Sequence, residues 1–226
     1  ADLGEEVVRI HGLDKVPSAP MERPSVIARP TLTPSQRRAR IVRRTLAARG
    51  FNETINFTFI PRAHARLFGG GDDERQLRNP IAADLDAMRP SVLPSLLAAA
   101  QRNAARGFAD MMLFELGAQF DSGMPEAQKT VAAGIRVGGA TRSWTKSTHG
   151  ADVFDAKADM LAALEAAMNG PMTAPIKQGA AAWYHPGRSG TLALGPKVLA
   201  YFGEVHPKIL AAFDLKGPVA AVEVFM

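Results

Sequence analysis

The sequence predicts an α+β fold in which a largely antiparallel sheet is flanked by helices. Three observations predict it. Three long segments repeat apolar residues at helical spacing, and each stops at Gly50, Gly107 or Asn169-Gly170-Pro171. Strand-like runs rich in β-branched and aromatic residues recur after residue 110 and again after residue 190. The last of these runs are joined by a turn as short as Gly195-Pro196, which favours hairpins over crossovers.

Residues 2–11 read as the end of a helix, with Val7, Val8 and Ile10 as apolar positions and Gly12 as its stop. Prolines 17, 20, 24, 30 and 34 suit an extended connector, since they fit neither helix interiors nor central strands. A module boundary is expected near residue 20: residues 1–20 as the tail of a small module with its connector, and 21–226 as the core domain. Thr33 or Ser35 caps the next helix, which runs to about Arg49. Ala39, Val42 and Leu46 share one of its faces, while Arg37, Arg40 and Arg44 share the opposite one. Residues 55–60 alternate as Ile-Asn-Phe-Thr-Phe-Ile and predict a strand. Gly69-Gly70-Gly71-Asp72-Asp73 reads as a flexible loop tip. No Lys-Ser/Thr pair follows it, so it is not a phosphate loop. A helix over 91–106 tolerates Pro94 in its first turn and carries Leu93, Leu96, Leu97 and Ala100 as a core stripe. Strands are predicted over 112–116, 131–137, 191–194, 198–202 and 220–225. Between them, Asp152 or Asp155 caps a helix that turns Ala156, Met160, Ala163, Leu164 and Ala167 inward.

Composition narrows the function classes. With 226 residues, 46% apolar and 22% charged, the chain is an ordinary globular one, which excludes disorder, collagen and coiled coil for its whole length. It has no cysteine, hence no disulfide framework, no thiolate metal site and no cysteine nucleophile. Lys and Arg number 27 against 22 Asp and Glu, a net +5. That charge suits a polyanionic partner, or equally an arginine-rich solvated surface. No run approaches the ~20 apolar residues of a membrane span. The first residues, Ala-Asp-Leu-Gly-Glu-Glu, have no signal-peptide pattern. The chain opens mid-helix without Met and closes mid-strand, as a piece of a longer protein would.

Candidate chemistry is sparse. The five histidines have no metal-ligand spacing, and no nucleophile elbow, Walker loop or dinucleotide fingerprint is present. His185-Pro186-Gly187-Arg188 and Gly203-Glu204-Val205-His206-Pro207 place imidazoles beside proline turns at strand ends. They suit an anion site, or loop-fixing hydrogen bonds to backbone carbonyls. Asp2, Glu5 and Glu6 fall within about one helical turn. Such a cluster invites a hard cation such as Mg²⁺; acids also simply favour a helix N-terminus. Six arginines lie between 35 and 49 with no acid among them. Arg37, Arg40 and Arg44 offer a surface to RNA or an acidic partner, although no aromatics are interleaved for base stacking.

The blocks Asn79-Pro80-Ile81, Asp84, Met88-Arg89-Pro90-Ser91-Val92-Leu93-Pro94, Leu96-Leu97, Asn103, Arg106 and Leu113-Phe114-Glu115-Leu116-Gly117 resemble the β-subunit family of bacterial phenylalanyl-tRNA synthetases. Asp2-Leu3-Gly4-Glu5-Glu6 through Val16-Pro17 resembles that family's junction between a small module and this domain. His11 and Leu13 stand where the family often has tyrosines. Arg49-Gly50-Phe51-Asn52-Glu53 is similar to the helix-to-strand step of the first class II motif, and the two histidine strings sit in the family's order. The resemblance spans nearly the whole chain.

What the resemblance implies is a degenerate class II aminoacyl-tRNA synthetase-like domain without catalytic residues. It would belong to an (αβ)₂ enzyme that joins phenylalanine to its tRNA with ATP and Mg²⁺ in the cytoplasm. Its partners would be the α subunit, which holds the chemistry, and tRNA(Phe) through the whole enzyme. ATP would not be bound here. A Mg²⁺ site shared with the α subunit maps onto Asp2, Glu5 and Glu6, with a further family ligand upstream, so this chain would hold it incompletely. The residues agree on catalysis: a class II site needs arginines on its motif strands to hold ATP phosphates, and residues 111–120 contain none. Arg89 and Asn79-Pro80 are expected to fix the fold. The rival reading is a stand-alone basic RNA-binding module.

Overall fold

A computed structural model describes residues 2–21, 30–139, 144 and 150–226. Part of the proline-rich connector, including Pro24, and also His149 lie outside the described residues. Two compact units divide the chain, Ala1–Thr31 and Leu32–Met226. The first holds helix α1 (Asp2–His11) and a 3-10 turn at Leu13–Lys15. Gly12 ends α1 with φ +108°, a conformation that side chains disfavour, and its N–H closes the helix on Val8 O at 2.9 Å.

The second unit is a seven-stranded sheet with helices on both faces. Its strands are β1 (Asn52–Glu53), β4 (Met111–Phe120), β5 (Gln128–Val137), β9 (Val219–Phe225), β8 (Lys197–Val205), β7 (Tyr184–Leu194) and β6 (Ile176–Gln178), in that spatial order. Every neighbouring pair is antiparallel except β1 with β4. A separate ribbon pairs β2 (Phe59–Ile60) with β3 (Ala87–Met88). The α+β expectation therefore stands, with a parallel pair at one edge.

Strand alternation sorts the side chains between two cores. Phe114, Ala132, Val222 and Val224 face helices α2 (Pro34–Ala48) and α5 (Val153–Met168). Leu113, Ala133, Ile135 and Ala221 face α4 (Leu93–Ala104) and α6 (Pro207–Ala212). The short helix α3 (Arg62–Leu67) leads into the Phe68 region of the latter core. Capping sets the helix starts. Thr33 and Gln36 form a capping box on α2, and Asp152 and Asp155 form one on α5. Val42 and Leu46 of α2 and all four stripe residues of α4 are buried, each large one worth about 1.5–3 kcal/mol of transfer free energy.

Three expectations are corrected. Residues 55–60 do not form one strand. β1 stops at Glu53, Thr54 N–H makes a last bond to Phe114 O at 2.7 Å, and the chain leaves the sheet. Ile55 and Phe57 are exposed, and the Asn56 amide turns inward to Glu115 Oε2 at 2.8 Å. The loop around 69–73 is pinned rather than free. Arg62 donates to Gly71 O at 2.7 Å and pairs with Asp73 at 2.5 Å, and Arg75 pairs with Asp72. The guanidinium of Arg75 holds the Asp72 carboxyl down at about 2. Finally, His185-Pro186-Gly187-Arg188 lies inside β7 rather than at a turn, because a register shift between Tyr184 and Ser189 absorbs the proline.

Candidate functional site

The carboxylates Asp2, Glu5 and Glu6 are all exposed on α1. Asp2 and Glu5 sit in the first turn, where the helix dipole favours negative charge. Glu6 accepts from Arg9 Nε at 3.0 Å. Among the described residues no group of three or more His, Cys, Asp or Glu is gathered around a point that would hold a metal ion. The donor chemistry, carboxylate oxygen throughout, still suits Mg²⁺, which takes one or two carboxylates and keeps waters.

Arg37, Arg40 and Arg44 lie exposed on α2, and among the described residues none of them makes an ion pair. Two of the six arginines in this stretch are engaged elsewhere. Arg43 pairs with Glu53 at 2.5 Å, and Arg49 with the buried Asp159 at 2.6 Å. Asp159 also takes Arg136 at 2.6 Å, whose guanidinium it keeps protonated while the Phe51 ring stacks below at 5.1 Å. This part of the basic surface is fold-holding.

β4 contains no arginine, and neither does β9. Arg89, just after β3, is 0% exposed and uses its guanidinium internally. It donates to Ala118 O at 2.7 Å, Ser95 Oγ at 3.2 Å and Glu115 Oε1 at 2.7 Å. A Cβ on Gly117 would come within 2.5 Å of Arg89 Nη2 and 2.6 Å of Glu115 Oε1, so the strand needs glycine where this pair crosses it. Arg89 is thus fold-fixing as expected. Asn79 and Pro80 are exposed, and no hydrogen bond involves the Asn79 side chain among the described residues.

The histidine strings tie down backbone, though not by donating to carbonyls. His185 Nδ1 accepts from Gly187 N–H at 3.1 Å, and His206 Nδ1 accepts from Lys208 N–H at 3.1 Å as the N-cap of α6. Arg188 pairs with Glu204 at 2.6 Å instead of facing an anion.

One feature escaped the sequence reading. A cleft of about 750 Å³ opens over the α4 side of the sheet, lined by Phe68, Gln119, Trp183, Tyr201, Glu223 and Phe225 among others. Glu223 is 1% exposed. It accepts from Ser91 Oγ at 2.6 Å, Trp183 Nε1 at 3.0 Å and Tyr184 Oη at 3.1 Å. Burial pushes its carboxyl above the usual range, against the pull of those three donors, and burial raises the Tyr184 phenol too. The signal was present: one acid inside the apolar run Val219-Ala220-Ala221-Val222-Glu223-Val224-Phe225. No helix of the described residues is long and apolar enough to cross a membrane.

Comparison with known proteins places this architecture. The family profile for the phenylalanyl tRNA synthetase beta chain CLM domain matches residues 20–226. The chain is 54% identical over its whole length to a phenylalanine–tRNA ligase beta subunit of Paramagnetospirillum magneticum, covering 28% of that protein. It is 53% identical over 98% of its length to the Rhodospirillum rubrum counterpart, again covering 28%. The chain therefore spans less than a third of these curated relatives. Among solved structures, a pyrrolysyl tRNA synthetase from Desulfitobacterium hafniense shares the fold. Its TM-score is 0.62 at 13% identity, over 83% of this chain and 64% of that one. The neighbour establishes a class II synthetase-like fold, and the relatives establish the lineage: the chain belongs to the phenylalanyl-tRNA synthetase β-chain family.

Proposed function

We propose that this domain is the non-catalytic, synthetase-like platform of the β subunit. It packs on the α subunit and supports ATP-dependent charging of tRNA with phenylalanine by the αβ assembly. The observation that supports this most is the motif strand. β4 has no arginine to meet phosphates, and the nearby Arg89 is buried and fully engaged with Glu115, Ser95 and Ala118. Phosphoryl and adenylyl transfer rely on cationic groups aimed at the reacting charge, and β4 supplies none. In this reading ATP is used by the whole enzyme and not bound here. The assembly is an (αβ)₂ heterotetramer of the cytoplasm that meets tRNA(Phe) through its other parts.

Asp2, Glu5 and Glu6 would hold Mg²⁺ together with groups of the α subunit, adding a charge bridge between subunits rather than a reaction step. Their exposure on α1 leaves their oxygens open to a partner surface, Glu6 by exchanging Arg9 for the metal. Co-expression with the cognate α subunit, followed by light-scattering mass, tests the packing role. A stoichiometric complex is expected. Two separate species would overturn it.

A further inference from the structure

Asn169-Gly170 is the one Asn-Gly pair in the sequence; the other four asparagines precede Glu, Phe, Pro and Ala. The pairing matters chemically. A backbone nitrogen that follows asparagine can attack the side-chain amide carbon and close a five-membered ring. Glycine leaves that nitrogen unshielded, whereas a β-carbon crowds it and proline has no N–H to lose. The platform role makes no use of this pair beyond ending α5.

The fold holds the pair in the wrong geometry for that reaction. Asn169 is the C-cap of α5 with φ +57° and ψ +41°, a left-handed backbone. At that ψ the Gly170 nitrogen lies nearly trans to the Asn169 Cβ, as far from the side chain as rotation about Cα–C allows. Ring closure needs the reacting atoms within about 3–3.5 Å. The nucleophile is also engaged. Gly170 N–H donates to Glu165 O at 3.1 Å, the closing bond of a Schellman-type cap. Glu165 holds the departing chain a second time, because its Oε1 accepts from Met172 N–H at 3.2 Å. Met172 in turn packs against the core that contains Ala163 and Ala167. The Asn169 side chain is exposed, so water and base reach it.

We propose that Asn169 is a latent deamidation site, closed by the α5 cap and opened by local fraying of that helix end. The cap opens when Gly170 N–H leaves Glu165 O and Asn169 leaves the left-handed region. The Gly170 nitrogen gives its proton to a solvent base and bonds to Asn169 Cγ. The Cγ–Nδ2 bond breaks, Nδ2 takes up a proton, and ammonia departs, leaving a cyclic imide. Water then adds to one of the two imide carbonyls and opens the ring. Addition at Cγ gives aspartate, and addition at the main-chain carbonyl gives isoaspartate. One water enters and one ammonia leaves, with no oxidant, metal or second protein required. The product carboxylate stands at the negative end of the α5 dipole, four residues from Glu165, where a further negative charge is unfavourable. Deamidation therefore loosens the helix end that protected its precursor.

The test follows Asn169 by peptide mass spectrometry while the purified chain stands at mildly alkaline pH, folded in buffer or unfolded in urea. In urea Asn169 should deamidate faster than any other asparagine. In the folded chain its reaction should be at least roughly tenfold slower, as a locally closed site requires. Glu165→Ala removes the second hold on the cap and should speed the folded-chain reaction about three- to tenfold, the worth of one hydrogen bond. Glu165→Gln keeps an acceptor oxygen and should stay near the parent. A thermal melt establishes that both variants are folded. Should Glu165→Ala not fold, the parent in urea below its global transition takes its place, and its rate should climb with urea there. Equal rates in the folded and unfolded parent, or another asparagine leading in urea, would overturn the proposal. So would an unchanged rate in folded Glu165→Ala, equal acceleration by Glu165→Gln, or, in the substitute experiment, a rate flat up to the global transition.

Discussion

Replacing Arg89 by Met removes the cation from a pair whose side chains are 0% and 6% exposed. Three acceptors then lose their donor: Glu115 Oε1, Ala118 O and Ser95 Oγ. Glu115 keeps a single donor, the Asn56 amide on its other oxygen. Removing one partner of a buried ion pair costs about 3–5 kcal/mol, because the other charge is left desolvated and unpaired. For a domain of this size each kcal/mol moves the midpoint by about 2–4 °C, so a fall of roughly 6–20 °C is expected in a thermal melt. The double variant Arg89→Met/Glu115→Gln removes the stranded charge while keeping the Asn56 contact. It should recover at least ~1 kcal/mol relative to additive single costs. A single variant melting within ~2 °C of the parent, or strictly additive costs in the cycle, would refute the reasoning that this pair fixes the β3–β4 junction.

Further predictions concern the same architecture. Gly117→Ala drives a Cβ against Arg89 Nη2 and Glu115 Oε1, and should cost about 1–3 kcal/mol in a urea titration. Thr33→Ala and Asp152→Ala each remove a capping box and should each lower stability by ~1 kcal/mol. They should be additive, as expected of caps on separate helices; a large non-additive term would contradict that. Glu223 sets a pH dependence. Its folded carboxyl lies above the ordinary value, so the folded chain holds that proton more tightly than the unfolded chain. Its contribution is full below the unfolded value, near pH ~4.3, and is lost as pH rises through the raised folded value. Urea titrations over that range should show the parent losing stability relative to Glu223→Gln as pH rises. Parallel profiles would contradict a buried, titrating Glu223.

Local signals were the legible ones. The capping pairs Thr33/Gln36 and Asp152/Asp155 lie three residues apart, so the helix starts could be read from the chain alone. The α4 stripe Leu93, Leu96, Leu97 and Ala100 is buried as its spacing predicted. Residues 55–60 misled because Ile55, Phe57 and Phe59 alternate like a sheet face. Whether such a run pairs depends on a distant strand, and here Phe114 offers one last bond before the chain turns away. β7 was truncated for the opposite reason: Pro186 and Gly187 read as a turn, while a register shift accommodates them within the strand. At the candidate sites, the lack of motif arginines was legible, and so was the fold-fixing role of Arg89, whereas Asn79 and Pro80, expected to share it, are exposed. The cleft was not. Gln119, Tyr201 and Glu223 come from three distant strands that only register brings to one face, and Trp183 joins them from just before β7.

The claim that this domain has no chemistry of its own is tested most directly by phenylalanine-dependent ATP–pyrophosphate exchange, measured on the purified chain beside the complete αβ enzyme. The account predicts exchange by the complete enzyme and none above background by the chain. Exchange by the chain alone, dependent on phenylalanine, would contradict it.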